Sequence, residues 1–258
     1  MAMYGIPYPD IQRILENLQL QIRQIFQDRL IGVYLYGSLV AGDFDYNSSD
    51  IDLLVVTSSP MTSSEFEALR VMHWKLASEN PAWDDRIDAV YVPEKALREF
   101  RTAKSPVVIS PGEPFHVRER EALLDWLQNW YLVRESGFTL FGPTPAEVIP
   151  PITQDEFITA VRKYAMEVNE REYHEMNRKG QAYAILTMCR ALYTSQKGKQ
   201  ASKRQAARWA QEQLPEWSGL IQNALTWRQA WREENIDHAV TSPETSRFVH
   251  FVASRILA

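Results

Sequence analysis

The sequence predicts an α+β fold in two domains: an N-terminal domain with a mixed sheet and helices over residues 1–150, and a C-terminal α-helical bundle over residues 151–258. Three observations lead to this prediction. Before residue 150, helix-like and strand-like hydrophobic patterns alternate along the chain. After it, only helical periodicity is found, as is typical of a bundle. Between the two lie four prolines within nine residues, Pro143 to Pro151, and proline can continue neither a helix nor a central strand.

In the first half, residues 10–27 carry apolar side chains at spacings of three and four, which predicts an amphipathic helix. The runs IGVYLYGS and DIDLLVVT predict two strands joined by a turn-rich segment, and RIDAVYVP predicts a third strand. A helix is predicted after Thr62, because Glu65 three positions on forms a capping pattern with it. Another helix is predicted over 119–134. In the second half, helices are predicted over 154–176, 181–195, 202–213, 217–233 and 244–257.

The composition is that of a folded protein with a substantial core. Of 258 residues, 45% are hydrophobic and 24% are charged, which excludes a disordered chain. No stretch reaches the roughly 18 uninterrupted apolar residues of a membrane span, and the N-terminus lacks the pattern of a secretion signal. The single cysteine, Cys189, cannot form an intramolecular disulfide. We therefore expect a cytoplasmic monomer with no membrane partner.

Charge is distributed unevenly between the two halves. Residues 1–150 carry 13 basic and 21 acidic side chains, a net charge of −8, whereas the remainder carries 15 and 12, a net charge of +3. One explanation is an uneven solvated surface. The other is that the first half supplies carboxylates for a metal and the second half supplies cations for phosphates.

The most informative stretch is YGSLVAGDFDYNSSDIDLLVV. Gly37 and Ser38 follow the first predicted strand, and Asp50 and Asp52 lie two residues apart at the next one. Because strand side chains alternate, both carboxylates point to one face, where they repel unless a cation lies between them. A hard cation such as Mg²⁺ meets that need, while Gly37 allows a phosphate to approach closely and Ser38 can bind its oxygens. An exposed strand end is the alternative, but these carboxylates interrupt an otherwise apolar run.

A third carboxylate, Asp88, interrupts the apolar run RIDAVYVP. If that strand lies beside the strand of Asp50 and Asp52, Asp88 can reach the metal or act as general base on an acceptor hydroxyl. The alternative is a strand residue that faces water. The predicted catalytic residues and metal ligands are therefore the same three: Asp50, Asp52 and Asp88.

These residues resemble a known family signature. The Gly-Ser pair at 37–38, followed by Asp-Ile-Asp at 50–52, is similar to the signature of the DNA polymerase β-type nucleotidyltransferases, and Asp88 falls where their third carboxylate lies. The stretches VRESGFTLFGPTPAEVI, LTMCRALYTSQKGKQASKRQAARWAQEQLP and WRQAW resemble the second domain of the streptomycin/spectinomycin aminoglycoside adenylyltransferases. The resemblance covers nearly the whole chain, and the parts follow in the same order.

The resemblance implies a nucleotidyltransferase of antibiotic resistance. The N-terminal domain is then the nucleotidyltransferase domain, and AMP passes from the co-substrate ATP, with Mg²⁺, to a hydroxyl of a small cationic antibiotic, releasing pyrophosphate. It also implies that Asp50 and Asp52 hold the metal and that Asp88 replaces a catalytic Glu one methylene longer. The residues predicted to contact the nucleotide are Gly37, Ser38, Ser49, Arg190, Lys203 and Trp231.

A physical argument also supports the two cations among these residues, Arg190 and Lys203. Arg190 lies within a strongly apolar helical run, where a guanidinium is expected to have a partner. Lys203 follows Ser202, a good N-cap, so its ammonium lies at a helix N-terminus that favours anions. An ordinary solvated basic surface is the alternative. A nucleic-acid partner is not expected on an acidic chain that lacks a recognition motif.

The acceptor site departs from the family pattern. Where its familiar members have acidic residues before the Arg190 helix, this chain has Met176 and Gly180. Glu172 and Glu175, at i and i+3 of the predicted helix, can replace them, although two solvated glutamates are equally consistent with the pattern. We expect weak or selective modification of a single aminocyclitol such as spectinomycin, or of streptomycin. The alternative is a nucleotidyltransferase that modifies a protein or another small metabolite, whereas a non-catalytic nucleotide-binding module has no need of three carboxylates.

Overall fold

The computed structural model describes residues 6–103, 105–109, 116–120, 126–173, 176–229 and 240–257. The chain forms two compact units. The first comprises Met1–Phe44 and Ser49–Pro151, and the second comprises Ile152–Ala258 together with the short segment Asp45–Ser48. A sheet with helices precedes a unit whose described regular elements are all helices, which confirms the predicted fold class.

The first unit is built around one mixed sheet. Its strands are β1 (Leu30–Tyr36), β2 (Ile51–Thr57), β3 (Ile87–Pro93), β4 (Ser105–Ile109), β5 (His116–Arg120) and β6 (Phe138–Phe141). They lie in the order β5-β4-β3-β2-β1-β6. The pair β2 and β3 is parallel, and the other neighbours are antiparallel. The predicted strands β1, β2 and β3 are confirmed, and β4, β5 and β6 were not predicted.

Five helices accompany this sheet in the described part of the first unit. They are α1 (Pro9–Phe26), α2 (Ser63–Glu79), α3 (Glu94–Arg98), α4 (Leu127–Ser136) and α5 (Pro145–Val148). The helix predicted over 119–134 is wrong at its start, because Glu119 and Arg120 belong to β5 and pair with β4. The predicted cap of α2 is confirmed: the Thr62 hydroxyl accepts from the Glu65 backbone N–H, and the Glu65 carboxylate accepts from the Thr62 backbone N–H.

Strand alternation separates the core face of the sheet from the face that carries the carboxylates. Every second residue of the three central strands packs into a core with α1 and α2, among them Val33, Leu53 and Tyr91. Residues in between project from the opposite face. Asp52 and Asp88 are of this second set, and both are half-buried.

The second unit contains the helices α6 (Gln154–Asn169), α7 (Arg178–Lys197), α8 (Lys203–Gln213), α9 (Ser218–Gln229) and α10 (Ser242–Leu257). The central helix α7 contacts all four of the others. Its start is tied to α10, because the hydroxyls of Thr241 and Thr245 both donate to Oε1 of the buried Gln181. None of the helices in the described ranges is long and apolar enough to cross a membrane.

The helix predicted over 154–176 is shorter in the structure. It ends at Asn169, and residues 170–173 after it are not helical. Among these residues, Tyr173 is buried and its hydroxyl donates to the Val168 carbonyl near the end of α6. A new helix then begins where the Asn177 side chain accepts from the Gly180 backbone N–H at 2.9 Å.

Candidate active site

One row of side chains crosses the three central strands. Asp52 on β2 is the register partner of Tyr36 on β1 and of Asp88 on β3. Directly paired residues project to the same side of a sheet with their Cβ atoms about 5 Å apart. The two carboxylates and the phenol therefore lie side by side on the face opposite the core.

The Tyr36 phenol responds to both carboxylates. Its pKa is raised well above 10.0, first because the ring is buried and then because Asp52 and Asp88 both repel a phenolate. A neutral phenol therefore faces the carboxylate pair. Tyr36 is not among the residues predicted from the sequence, although it directly precedes the Gly-Ser pair in the most informative stretch.

The turn after β1 is packed against the Asp52 carboxylate. Gly37 has φ +75°, and it opens a short 3₁₀ turn, Gly37–Leu39. A Cβ at this position would lie only 1.9 Å from Asp52 Oδ2. Glycine is therefore required twice, by the left-handed backbone and by the carboxylate that occupies the space of a side chain. Ser38 follows in the turn, and its carbonyl accepts from the Asp43 backbone N–H at 3.1 Å.

Asp50 is exposed and directly precedes β2, while its neighbour Ser49 is buried. The Ser49 carbonyl accepts two bonds from the guanidinium of Arg86, from Nε at 3.1 Å and from Nη2. The sequence predicted Arg86 only as the first residue of the strand RIDAVYVP, with no role in the site. A charged residue next to an apolar run was the signal that could have identified it.

The donor set suits a hard cation that is shared with a nucleotide. In the part of the chain that the structure describes, no three His, Cys, Asp or Glu side chains are grouped closely enough to hold a metal ion by themselves. Mg²⁺ is usually held by one or two carboxylates plus substrate phosphates rather than by an all-protein cage. Asp52 and Asp88 in register, with Asp50 two residues before Asp52, fit that mode of binding.

In the helical unit, the two predicted phosphate-binding cations converge on one tyrosine. Lys203 is the first residue of α8, where Ser202 caps the helix by accepting from the Gln205 backbone N–H at 3.1 Å. The Lys203 ammonium lies 5.3 Å from the centre of the Tyr183 ring. The pKa of Tyr183 is raised, first by desolvation of its hydroxyl, and the positive charge of the half-buried Arg190 opposes that rise. Arg190 is therefore near the same phenol.

This tyrosine belongs to a wider group of aromatic and cationic side chains. The hydroxyls of Tyr164 and Tyr183 are 2.7 Å apart. Arg171 donates to the Tyr164 hydroxyl at 3.4 Å and lies over its ring. The surface at the end of α6 and along α7 is therefore rich in positive charge and phenols.

The predicted acceptor residues are not placed as expected. Glu172 is exposed and is not helical, so the expectation that it shares a helix face with Glu175 is wrong. Glu175 itself, and the predicted nucleotide contact Trp231, lie outside the described residues. The first turn of α7 holds basic residues and no acidic ones.

The mixed sheet carries Asp52 and Asp88 in register beside the Gly-Ser turn. Residues 16–123, which include this part of the sheet, match the family model described as "Nucleotidyltransferase domain". The chain is a nucleotidyltransferase. Residues 147–255 match a second model, described as "Aminoglycoside adenylyltransferase, C-terminal domain". The two matched regions follow each other along the chain in this order, so the chain is similar to aminoglycoside adenylyltransferases in its C-terminal part and to nucleotidyltransferases in its N-terminal part.

Individual relatives can be aligned with this chain over nearly its full length. The chain is 26% identical over 254 residues to an aminoglycoside (3'') (9) adenylyltransferase of Escherichia coli, covering 91% of this chain and 90% of the relative. A Klebsiella pneumoniae protein of the same description is 25% identical over 253 residues, with the same coverage. Among solved structures, spectinomycin adenyltransferase AAD(9) from Enterococcus faecialis, crystallised with ATP and spectinomycin, matches with a TM-score of 0.77 at 20% identity, over 95% of this chain and 99% of that one. The structural match establishes the fold.

Proposed function

We propose that this protein transfers AMP from ATP to a hydroxyl group of an aminoglycoside or aminocyclitol antibiotic and releases pyrophosphate. The observation that carries the proposal is the row of Asp52 and Asp88 in register, with Gly37 leaving space for the Asp52 carboxylate. The matched family models support the reaction type, and the descriptions of the relatives support the class of acceptor.

Asp50 and Asp52 are the residues proposed to hold Mg²⁺, with Asp88 beside them. When bound, the cation supplies a positive charge that stabilises the negative charge developing at the α-phosphate. Carboxylate oxygens are its preferred protein ligands, and the coordination sites that they leave open suit nucleotide oxygens.

Asp88 is proposed as the general base. The acceptor oxygen forms a bond to the α-phosphorus while the bond from that phosphorus to the pyrophosphate oxygen breaks. The hydroxyl proton goes to the Asp88 carboxylate, and pyrophosphate leaves with the bonding electrons. Since an aspartate is short, the acceptor must approach close to the sheet surface where Asp88 and Asp52 are paired.

The nucleotide contacts proposed in the first unit are Gly37, Ser38 and Ser49. A glycine with φ +75° lets phosphate oxygens approach the backbone, and the Ser38 hydroxyl follows directly. In the helical unit, Arg190 and Lys203 are the proposed phosphate contacts. Lys203 begins a helix, where the backbone N–H groups also favour an anion. Trp231 stays a prediction.

The acceptor is proposed to be a single aminocyclitol such as spectinomycin, or streptomycin, used weakly or selectively. Glu172 is an exposed carboxylate just before α7 and is the residue proposed to face its cationic groups, whereas the basic first turn of α7 opposes a strongly cationic ligand. The same basic turn is the observation that favours the second candidate, a different hydroxyl acceptor such as a protein or another metabolite.

The test is pyrophosphate release from ATP and Mg²⁺ with streptomycin, with spectinomycin and without acceptor, with the product identified by mass. An adduct heavier than the drug by one adenylyl group is expected from one of the two. If neither drug gives an adduct but ATP binds and requires a divalent metal, the proposed nucleotidyl transfer is retained. The proposed acceptor then becomes the second candidate, a protein or another metabolite. Asp52→Asn is the matched inactive control.

A further inference from the structure

Arg86 is a buried cation beside the candidate site, and the proposed reaction gives it no role. Only 4% of it is exposed, and its guanidinium lies over the Trp83 ring at 4.2 Å. Nε and Nη2 both donate to the Ser49 carbonyl, and Nη1 donates to the Ala82 carbonyl at 3.4 Å. A buried charge is costly unless it is well satisfied, so such a residue needs a strong reason to be present.

The backbone of Arg86 binds the same segment from its other end. The Ile51 N–H donates to the Arg86 carbonyl at 2.8 Å. The side chain thus holds the residue before Asp50, and the main chain holds the residue after it. Beyond this point the parallel register continues from Ile51 with Ile87 to Asp52 with Asp88.

We propose that Arg86 is a positioning residue that sets where the Asp50 carboxylate lies relative to Asp52 and Asp88. The inference rests on the proposed function of these three carboxylates. Asp50 is exposed and lies outside the strand, so the pairing of β2 with β3 begins only after it. Without the bonds to Ser49, the chain before β2 loses the contacts that define its path into the strand.

Arginine suits this task better than lysine. Its planar guanidinium directs two N–H groups to one carbonyl and still stacks on an indole ring, whereas an ammonium is a point charge on a flexible stem. Some groups do not contact the metal but orient its ligands through hydrogen bonds. Removal of such a group typically lowers metal affinity or activity by about 10- to 100-fold. An effect of that size is expected here.

The experiment compares Arg86→Lys and Arg86→Met with Arg98→Lys in the full-length protein. Arg98 is an exposed arginine of the same unit that bonds Glu94 and the Glu147 carbonyl, and no catalytic role falls to it. Mn²⁺ binding is measured by calorimetry in the presence of α,β-methylene ATP, an analogue that cannot transfer its adenylyl group. The kcat for the drug and the midpoint of thermal unfolding are measured alongside.

We expect Mn²⁺ affinity and kcat to fall by about 10-fold or more in Arg86→Lys and further in Arg86→Met, at temperatures where each variant is folded. Arg98→Lys should match the wild type. If folded Arg86→Lys binds Mn²⁺ as the wild type does, the inference is overturned even if its unfolding midpoint drops, because Arg86 is then only structural. Should neither variant fold, Arg86→Gln, which keeps one amide donor, is judged by the same measurements. Absence of Mn²⁺ binding in the wild type refutes the proposed function instead, and the inference with it.

Discussion

Gly37→Ala most directly tests the proposed role of the paired carboxylates Asp52 and Asp88, because the structure shows which atoms the added methyl group would contact. Its Cβ would lie 1.9 Å from Asp52 Oδ2, whereas real Cβ atoms essentially never approach a heavy atom below 3.0 Å. The carboxylate must therefore retreat by about 1 Å. A displacement of about 1 Å in a catalytic site can cost roughly 100-fold in rate.

The backbone adds a second, separable cost. Residue 37 has φ +75°, and a non-glycine residue in this region costs roughly 1 to 2 kcal/mol. Gly42 is the matched control, because it has φ +71° in the same unit but no heavy atom within 4 Å of an added Cβ. Gly42→Ala therefore pays the backbone cost without displacing a carboxylate.

The assay is pyrophosphate release for kcat, with denaturant unfolding for stability. We expect both alanine variants to lose about 1 to 2 kcal/mol of stability. Only Gly37→Ala should lose about 100-fold in kcat, which corresponds to roughly 3 kcal/mol at the transition state. Equal kcat values in the two variants would refute the reasoning, since the contact between residue 37 and Asp52 would then have no part in catalysis.

Three further predictions follow from the same unit. Asp50→Asn or Asp52→Asn should abolish turnover and leave the circular dichroism unchanged, because a proposed metal ligand is lost while the buried core is untouched. Asp88→Asn should lower kcat by about 10² to 10⁴ while calorimetry still detects ATP binding, because only the proposed proton acceptor is removed. Burial lowers the pKa of His73, whose Nε2 lies 2.7 Å from the Tyr91 hydroxyl, to about 3. An unfolded histidine has a pKa near 6.5, so the unfolded state takes up a proton first as the pH falls, and about 2 kcal/mol of stability should be lost between pH 8 and pH 5.

Each of these has an outcome that would contradict it. Turnover like that of the wild type in either metal-ligand variant, with Mg²⁺ as the only divalent cation, would exclude the proposed metal site. An unchanged kcat and pH profile in Asp88→Asn would place the base elsewhere. For the histidine, the control is His73→Gln, which keeps a hydrogen-bonding group but does not titrate. Stability measured by denaturant at pH 8 and pH 5 should fall less in His73→Gln, and an equal fall would assign the acid sensitivity to other groups.

The sequence by itself determined what depends on neighbours within a few positions. Periods of two and of three to four residues predicted the three central strands and the helical second half, because one face of each element must be apolar. Caps were equally local: the bonds at Thr62 and Ser202 join residues three positions apart. The Gly-Ser pair and the spaced aspartates were visible for the same reason.

Pairing between distant segments was decided by the tertiary structure alone. The strands β4 and β5 exist because they hydrogen-bond to each other, and no local pattern distinguished β5 from a helix. Just after α6 ends, Tyr173 is buried and its hydroxyl bonds to the Val168 carbonyl, and the periodicity does not predict such a contact. The premise that Glu172 lies on a helix rested on that periodicity and is wrong.

The row of Tyr36, Asp52 and Asp88 depends both on the local sequence and on the tertiary structure. The spacing of Asp50 and Asp52 could be read from the chain, but the register that pairs Asp52 with Tyr36 and Asp88 could not. Likewise, the sequence gives no distance between Arg86 and Ser49, which are 37 positions apart. Side-chain alternation is a property of one strand, whereas register and buried hydrogen bonds are properties of a packed sheet, in which each strand is held by its neighbours.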